Sequence, residues 1–285
     1  MPFKFIVEDT PYYVHRELVA QYSAPLERMM NGEMKEAQDN CATLEDVDKG
    51  TFLRFVEFLY DGYYTPAEPT TRSSSGEPRD LIDDDNDTTI ATDITAWSTP
   101  LPQRSLPWPV SGASEKEASG QSRSGILTTM GQHTTRAAAK ASFSSRQDRA
   151  SVRKHVKEAP QPRANKGDNE DYSEVFLCHA RLYVFANMYQ IAILKTLALE
   201  ELEATLAVFK LHRKRVRDIV ALLQYIYAET ATSTSEEVSL KDVMQHYMAT
   251  EMETLIKNKY FRNLIIEDGG PLLGDVMTVV GRRLA

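Results

Sequence analysis

The chain has 285 residues, 42% of them apolar and 26% charged, with 33 Lys and Arg against 41 Asp and Glu for a formal charge of −8, the composition of a soluble protein of one or two domains. No apolar run approaches the ~20 residues of a membrane span, and the first ten residues, with Lys4, Glu8 and Asp9, hold no signal-peptide core, so a cytoplasmic or nuclear location is expected and secretion is not. Two cysteines, Cys41 and Cys178, exclude a disulfide framework.

The average conceals a change of material along the chain. Residues 67–170 hold 25 Ser and Thr, 8 of the 13 prolines and 3 of the 25 aromatics. Such a segment cannot bury enough apolar area to offset chain entropy, so a disordered insert is expected there. It is acidic over Glu68–Asp93 and basic over Arg123–Lys166, with Pro100, Pro102, Pro107 and Pro109 between, and it is neutral overall. The whole net charge therefore lies on the flanks: −6 on residues 1–66 and −2 on residues 171–285. An acidic folded part argues against a nucleic-acid surface.

In chain order, Phe3–Val7 and Tyr12–Val14 are β-branched and aromatic runs separated by Glu8-Asp9-Thr10-Pro11, which predicts a β-hairpin with a turn at those four residues. After His15, which suits a bridge between strand and helix start, Leu18, Val19 and Tyr22 mark a short helix. Ser23 is placed to cap a second, with Pro25 in its first turn and Asn31-Gly32 at its end. Cys41–Leu44 is a third strand candidate. Asp48 then caps a helix with Phe52, Phe55, Val56, Leu59 and Tyr60 on one face, stopped by Asp61-Gly62.

Beyond the insert, Asp171-Tyr172-Ser173-Glu174 has the form of a capping box, and Val175, His179, Leu182, Ala186 and Tyr189 follow on one helical face. Helices are predicted from about Ile191, over Val216–Ala228, from Ser239, and as a last pair at Ile256–Ile266 and Leu272–Leu284 around Gly269-Gly270-Pro271.

This order of elements, together with Phe5-x-Val7, Tyr13-Val14-His15-Arg16-x-Leu18-Val19-Ala20-x-x-Ser23, Asn31-Gly32-x-Met34-Lys35-Glu36-Ala37 and Asp48-x-x-Thr51-Phe52-x-x-Phe55-x-x-Phe58-Leu59-Tyr60-x-Gly62-x-Tyr64, resembles a BTB/POZ domain. His179-Ala180-x-Leu182-Tyr183-x-Phe185-Ala186-x-x-Tyr189 looks like the closing helical hairpin of the short BTB proteins of filamentous fungi. The resemblance implies an α+β fold, a small sheet covered by helices. Residues 1–66 form its first part, 67–170 the insert and 171–198 the closing helices, with a helical extension over 199–285. His15, Arg16, Leu18, Ser23, Asp48 and Gly62 are its structural positions.

The resemblance also implies a partner. Met34-Lys35-Glu36 matches the apolar-x-Glu motif by which adaptors of the family engage a cullin scaffold, with Phe52, Tyr60 and Tyr64 as additional packing and a client protein held elsewhere. Many dimeric members carry an N-terminal helix and strand, and an Asp that pairs with the basic residue at the position of Arg16. The chain begins at Met1-Pro2-Phe3 without them, so weakened self-association is expected.

Catalytic chemistry is not indicated. There is no nucleophile elbow, no phosphate-cradling glycine loop, and no His-x-x-x-His pair among the six histidines, so no enzyme, cofactor or metal is expected. Two basic clusters stand out. Arg149, Arg153, Lys154 and Lys157 suit a nuclear import signal, which supports the alternative of a nuclear scaffold or transcription-associated factor. Arg213-Lys214-Arg215-x-Arg217 opposes the dipole of the helix it precedes, with Glu203 and Asp218 as candidate neutralising acids.

Overall fold

The computed structural model describes residues 1–71, 161–229, 239–268 and 270–284. The acidic stretch beyond residue 71, the proline-rich link and the cluster Arg149, Arg153, Lys154 and Lys157 lie outside the described residues.

Alternation shapes the first element. In β1 (Pro2–Val7), Phe3, Phe5 and Val7 are fully buried and the residues between them are not. β2 (Thr10–His15) pairs with it antiparallel, Phe3 opposite Val14 and Phe5 opposite Tyr12. The turn uses only Glu8 and Asp9, at φ 46° and 59°, the left-handed pair that a two-residue connection between right-twisted strands requires. Thr10 and Pro11, expected in the turn, are strand residues. Pro11 is tolerated because β2 is an edge strand, where a missing N–H removes no ladder bond.

α1 (Arg16–Tyr22) follows without a side-chain cap from His15. Ser23 opens α2 (Ala24–Asn31), its Oγ accepting from the Leu26 N–H at 3.1 Å. The same buried hydroxyl donates to the carbonyl of Tyr189 at 2.7 Å, joining segments 166 residues apart. Gly32 ends α2, and a side chain there would bring Cβ to 2.5 Å of the Arg28 carbonyl oxygen. A short helix not anticipated from sequence, α3 (Lys35–Asp39), leads to β3 (Cys41–Thr43), which lies parallel to β1 and completes a sheet of order β2-β1-β3. Parallel neighbours need a crossover, and the three helices supply it.

In α4 (Lys49–Asp61), Asp48 Oδ1 accepts from the Thr51 N–H at 2.9 Å and Gly62, at φ 72°, ends the helix. Phe52, Phe55, Phe58 and Leu59 are buried. Phe5, Tyr12 and Phe55 surround the Phe52 ring at centroid distances of 5.5, 5.2 and 5.9 Å.

The flanks of the expected insert belong to the folded body. β4 (Thr70–Thr71) pairs antiparallel with β5 (Glu170–Asp171), and buried Asn165 bonds both backbone groups of Lys210, at 2.7 and 2.9 Å. Two-residue strands of mostly polar sequence carry no periodic signal, which is why composition alone placed them in the insert.

α5 (Ser173–Met188), α6 (Ala192–Val208) and α7 (Val216–Glu229, after a 3-10 turn at Arg213–Arg215) form the centre of the helical part. α4, α6 and α7 all pack on α5, so it is buried around most of its circumference rather than on the single face expected. The predicted capping box before it does not form. The Tyr172 N–H donates to Asp218 Oδ2 of α7 at 2.9 Å, while Asp171 Oδ1 takes the Ser173 N–H. α8 (Leu240–Leu255) does have a capping box, between Ser239 and Asp242, and α9 (Lys259–Asp268) and α10 (Pro271–Leu284) follow. One hydrophobic cluster runs from Phe3 to Val279. The fold is α+β, a small sheet with helices followed by an all-helical region. No helix of the described residues is long and apolar enough to cross a membrane.

Candidate partner-binding surface

The segment between α2 and β3 is built to be held at its ends and exposed in its middle. Arg16, at the start of α1, donates from Nη1 to the Met30 carbonyl at 2.7 Å and to Asn31 Oδ1 at 3.0 Å, and from Nη2 to Asn40 Oδ1. Its guanidinium lies 5.1 Å from the centroid of the Phe3 ring. One planar fork thus ties both ends of residues 32–39 to the first strand, a geometry lysine could not reproduce. Within the segment, Met34 is the N-cap residue of α3 and is 41% exposed, Glu36 is half-buried in the first turn, and no residue of α3 is buried. The backbone carbonyl of Met34 accepts from Ala37 and Gln38, which fixes the turn and leaves the thioether outside.

The five partner positions expected from sequence separate into two groups. Met34, Glu36 and Tyr60 reach solvent, Tyr60 being 48% exposed. Phe52 and Tyr64 do not, and this corrects the expectation: both are fully buried. Phe52 is enclosed by the rings named above, and the Tyr64 hydroxyl meets His179 Nδ1 at 2.6 Å, so neither side chain can contact another protein. No hydrogen bond or ring contact joins Tyr60 to Met34 or Glu36 among the described residues; Tyr60 Oη instead meets His15 Nδ1 at 2.6 Å. His15 therefore serves α4, not the strand-to-helix junction expected of it. Leu18 is partly buried, and Ser23, Asp48 and Gly62 act as cap and stop residues as described.

Two exposed apolar side chains of the same lobe escaped the sequence reading, Tyr13 at 66% and Leu53 at 45% exposure. The signal was present in the phase. Tyr13 alternates with buried Val14 in β2, and Leu53 falls off the Phe52, Phe55, Leu59 stripe of α4, so each is an apolar residue on a solvent-facing position.

The cluster at Arg213–Arg217 is partly absorbed within the fold. Lys214 Nζ pairs with Asp168 at 2.9 Å, and this pairing holds the Asp168 carboxyl below its usual range. Buried Arg215 lies 3.5 Å from Asp171 and 3.8 Å from Asp218. Burial nevertheless pushes the Asp218 carboxyl up to about 6, against the lowering effects of the Tyr172 N–H and Arg215. Arg217 stacks on the Tyr260 ring, 4.0 Å from its centroid, and donates to its hydroxyl. Asp218 is thus a neutralising partner as anticipated. Among the described residues no group of three His, Cys, Asp or Glu could hold a metal ion. The Cys178 thiol is buried, which pushes its ionisation up and keeps it inert.

The hairpin, the helical crossover to a parallel third strand, and the capped α4 lie within residues 3–73, the segment that matches the family model described as BTB/POZ domain. The chain carries a BTB/POZ domain. No curated protein and no solved structure matches the chain. A BTB/POZ domain is a non-enzymatic module for protein–protein interaction, and such domains often self-associate. The match ends before α5, whose Phe185 nevertheless packs on Phe55 of the BTB/POZ segment at 4.9 Å between ring centroids.

Proposed function

We propose that the protein is a BTB adaptor that links a client protein to a cullin-type ubiquitin ligase, with α5 and the start of α6, residues 171–198, closing the BTB/POZ domain and the later helices serving as an extension. The observation that carries this reading is the exposed Met34 with Glu36 beside it in the first turn of α3, on a segment held at both ends by Arg16. A thioether free to enter an apolar groove and a carboxylate beside it, on a preorganised backbone, are suited to helix docking, because little ordering entropy remains to be lost on binding. Tyr60 adds an aromatic anchor on the same lobe, whereas Phe52 and Tyr64 support α4 from inside. The −6 charge of residues 1–66 favours a basic protein face as the partner.

The test is binding of the purified protein to the N-terminal region of a cullin by calorimetry. Met34→Asp and Glu36→Lys should each weaken binding by tenfold or more, about 1.4 kcal/mol or above, with the thermal midpoint unchanged because neither side chain is buried. Absence of wild-type binding rejects the adaptor reading.

A further inference from the structure

Two segments remote in sequence, 210–217 and 257–262, contain eight Lys or Arg and no Asp or Glu, in a chain whose net charge is −8. The fold brings them together: the Asn258 side-chain amide donates to the Arg213 carbonyl at 3.3 Å, and Arg217 stacks on Tyr260. Asp168, Asp171 and Asp218 account for Lys214 and Arg215. Arg262 donates to the carbonyls of Ile256 and Lys257 at the end of α8. The exposed side chains of Lys210, Arg213 and Lys257 have no acidic partner among the described residues, and Lys259 meets only the face of Tyr260, 5.3 Å from its centroid. Like charges crowded in this way repel one another, and an anion laid across them relieves that repulsion.

We propose that the surface formed by the 210–217 turn and the start of α9 docks an acidic segment of a partner protein. Nucleic acid is the poorer match on two counts. The partly exposed Tyr260 ring already holds Arg217 and Lys259 against it, 4.0 and 5.3 Å from its centroid, and a base would have to compete with those cations to stack there. A duplex carries one charge per ~1.7 Å along its whole length and would be repelled by the rest of an acidic chain, whereas a short acidic peptide places charge only where the cations are. The surface lies outside the matched BTB/POZ segment, and the proposal does not rest on the cullin reading.

The experiment is fluorescence anisotropy of the full chain with a labelled peptide of ten glutamates at low salt. Arg213→Glu combined with Lys257→Glu should weaken binding at least tenfold, and added salt should weaken wild-type binding progressively. The same charge change at Arg28→Glu with Lys49→Glu, also exposed, should change it less than threefold. Arg213→Gln with Lys257→Gln provides a second variant pair should the charge reversal disturb folding, and should weaken binding severalfold. The proposal is overturned if the wild type does not bind the peptide, if the Arg28 and Lys49 pair has the same effect, or if a single-stranded oligonucleotide of equal charge binds more tightly. Binding to the cullin region measured on the Arg213 and Lys257 variants should be unaltered, so the two readings can fail separately.

Discussion

Two tyrosine–histidine contacts in this molecule have the same length and opposite surroundings. Tyr64 Oη meets His179 Nδ1 at 2.6 Å with both residues fully buried, and Tyr60 Oη meets His15 Nδ1 at 2.6 Å with both exposed. At the first, water cannot replace a lost partner, and burial pushes the Tyr64 phenol well above its usual ionisation range, so it stays neutral. The contact joins the segment after α4 to the middle of α5, 115 residues away in sequence. At the second, water can take either role, so the bond contributes little to stability and the Tyr60 ring remains free to meet a partner. Identical chemistry cements a seam in one place and orients a surface side chain in the other.

The largest effect should come from breaking the buried contact. Tyr64→Ala removes ring and hydroxyl together and should cost about 3–5 kcal/mol, as for other buried aromatics, read as a fall in the urea midpoint. Tyr64→Phe, which keeps the ring and leaves the imidazole without that oxygen, should cost about 1–3 kcal/mol.

The same contrast extends to carboxylates. Asp168 is half-exposed beside Lys214 and ionises more readily than usual, whereas buried Asp218 is raised from 3.8 to about 6. A raised acid holds its proton in the folded state after the unfolded chain has released it. Its contribution is therefore most favourable below pH 4 and declines as pH rises to about 6, by on the order of 3 kcal/mol. Asp218→Asn should abolish that decline: relative to the wild type, the variant should become more stable between pH 4 and pH 7 in denaturation series. Lowered acids such as Asp168 and Glu170, whose contributions are lost as pH falls, are common to both proteins and cancel in the difference.

Arg16 lies between the two extremes, half-buried with charge-assisted bonds to Met30, Asn31 and Asn40. Arg16→Ala should cost about 1.5–3 kcal/mol and speed amide exchange across residues 32–39 before any other region. The smallest effect belongs to the exposed pair: Tyr60→Phe should change stability by less than about 0.5 kcal/mol. An equal cost for Tyr60→Phe and Tyr64→Phe would remove the distinction on which the comparison rests.

Much of the BTB/POZ segment could be read along the chain because its signals are local. The alternation of Phe3, Phe5 and Val7, the cap residues Ser23 and Asp48, and the stop at Gly62 each act within one or two turns of their own position. Met34 and Glu36 were legible as a motif. The separation of Tyr60 from Phe52 and Tyr64 was not, since all three are aromatic residues on or after the same helix and only the far side of the core distinguishes them. α3 was missed because five residues without a buried side chain have no periodicity to detect.

The amino-acid sequence by itself determined the three strands of the BTB/POZ segment, the phases of the longer helices, the caps at Ser23, Asp48 and Ser239 and the charge of each part, all properties of neighbouring residues. Tertiary structure decided which aromatics are core, that Asp218 rather than a local box receives the Tyr172 N–H, that Arg16 holds the Met34 segment, and that two basic stretches 40 residues apart share one surface. The reason is physical: a side chain's propensity is set by its own backbone. Its exposure, its partner and its ionisation are set by whatever the folded chain brings against it.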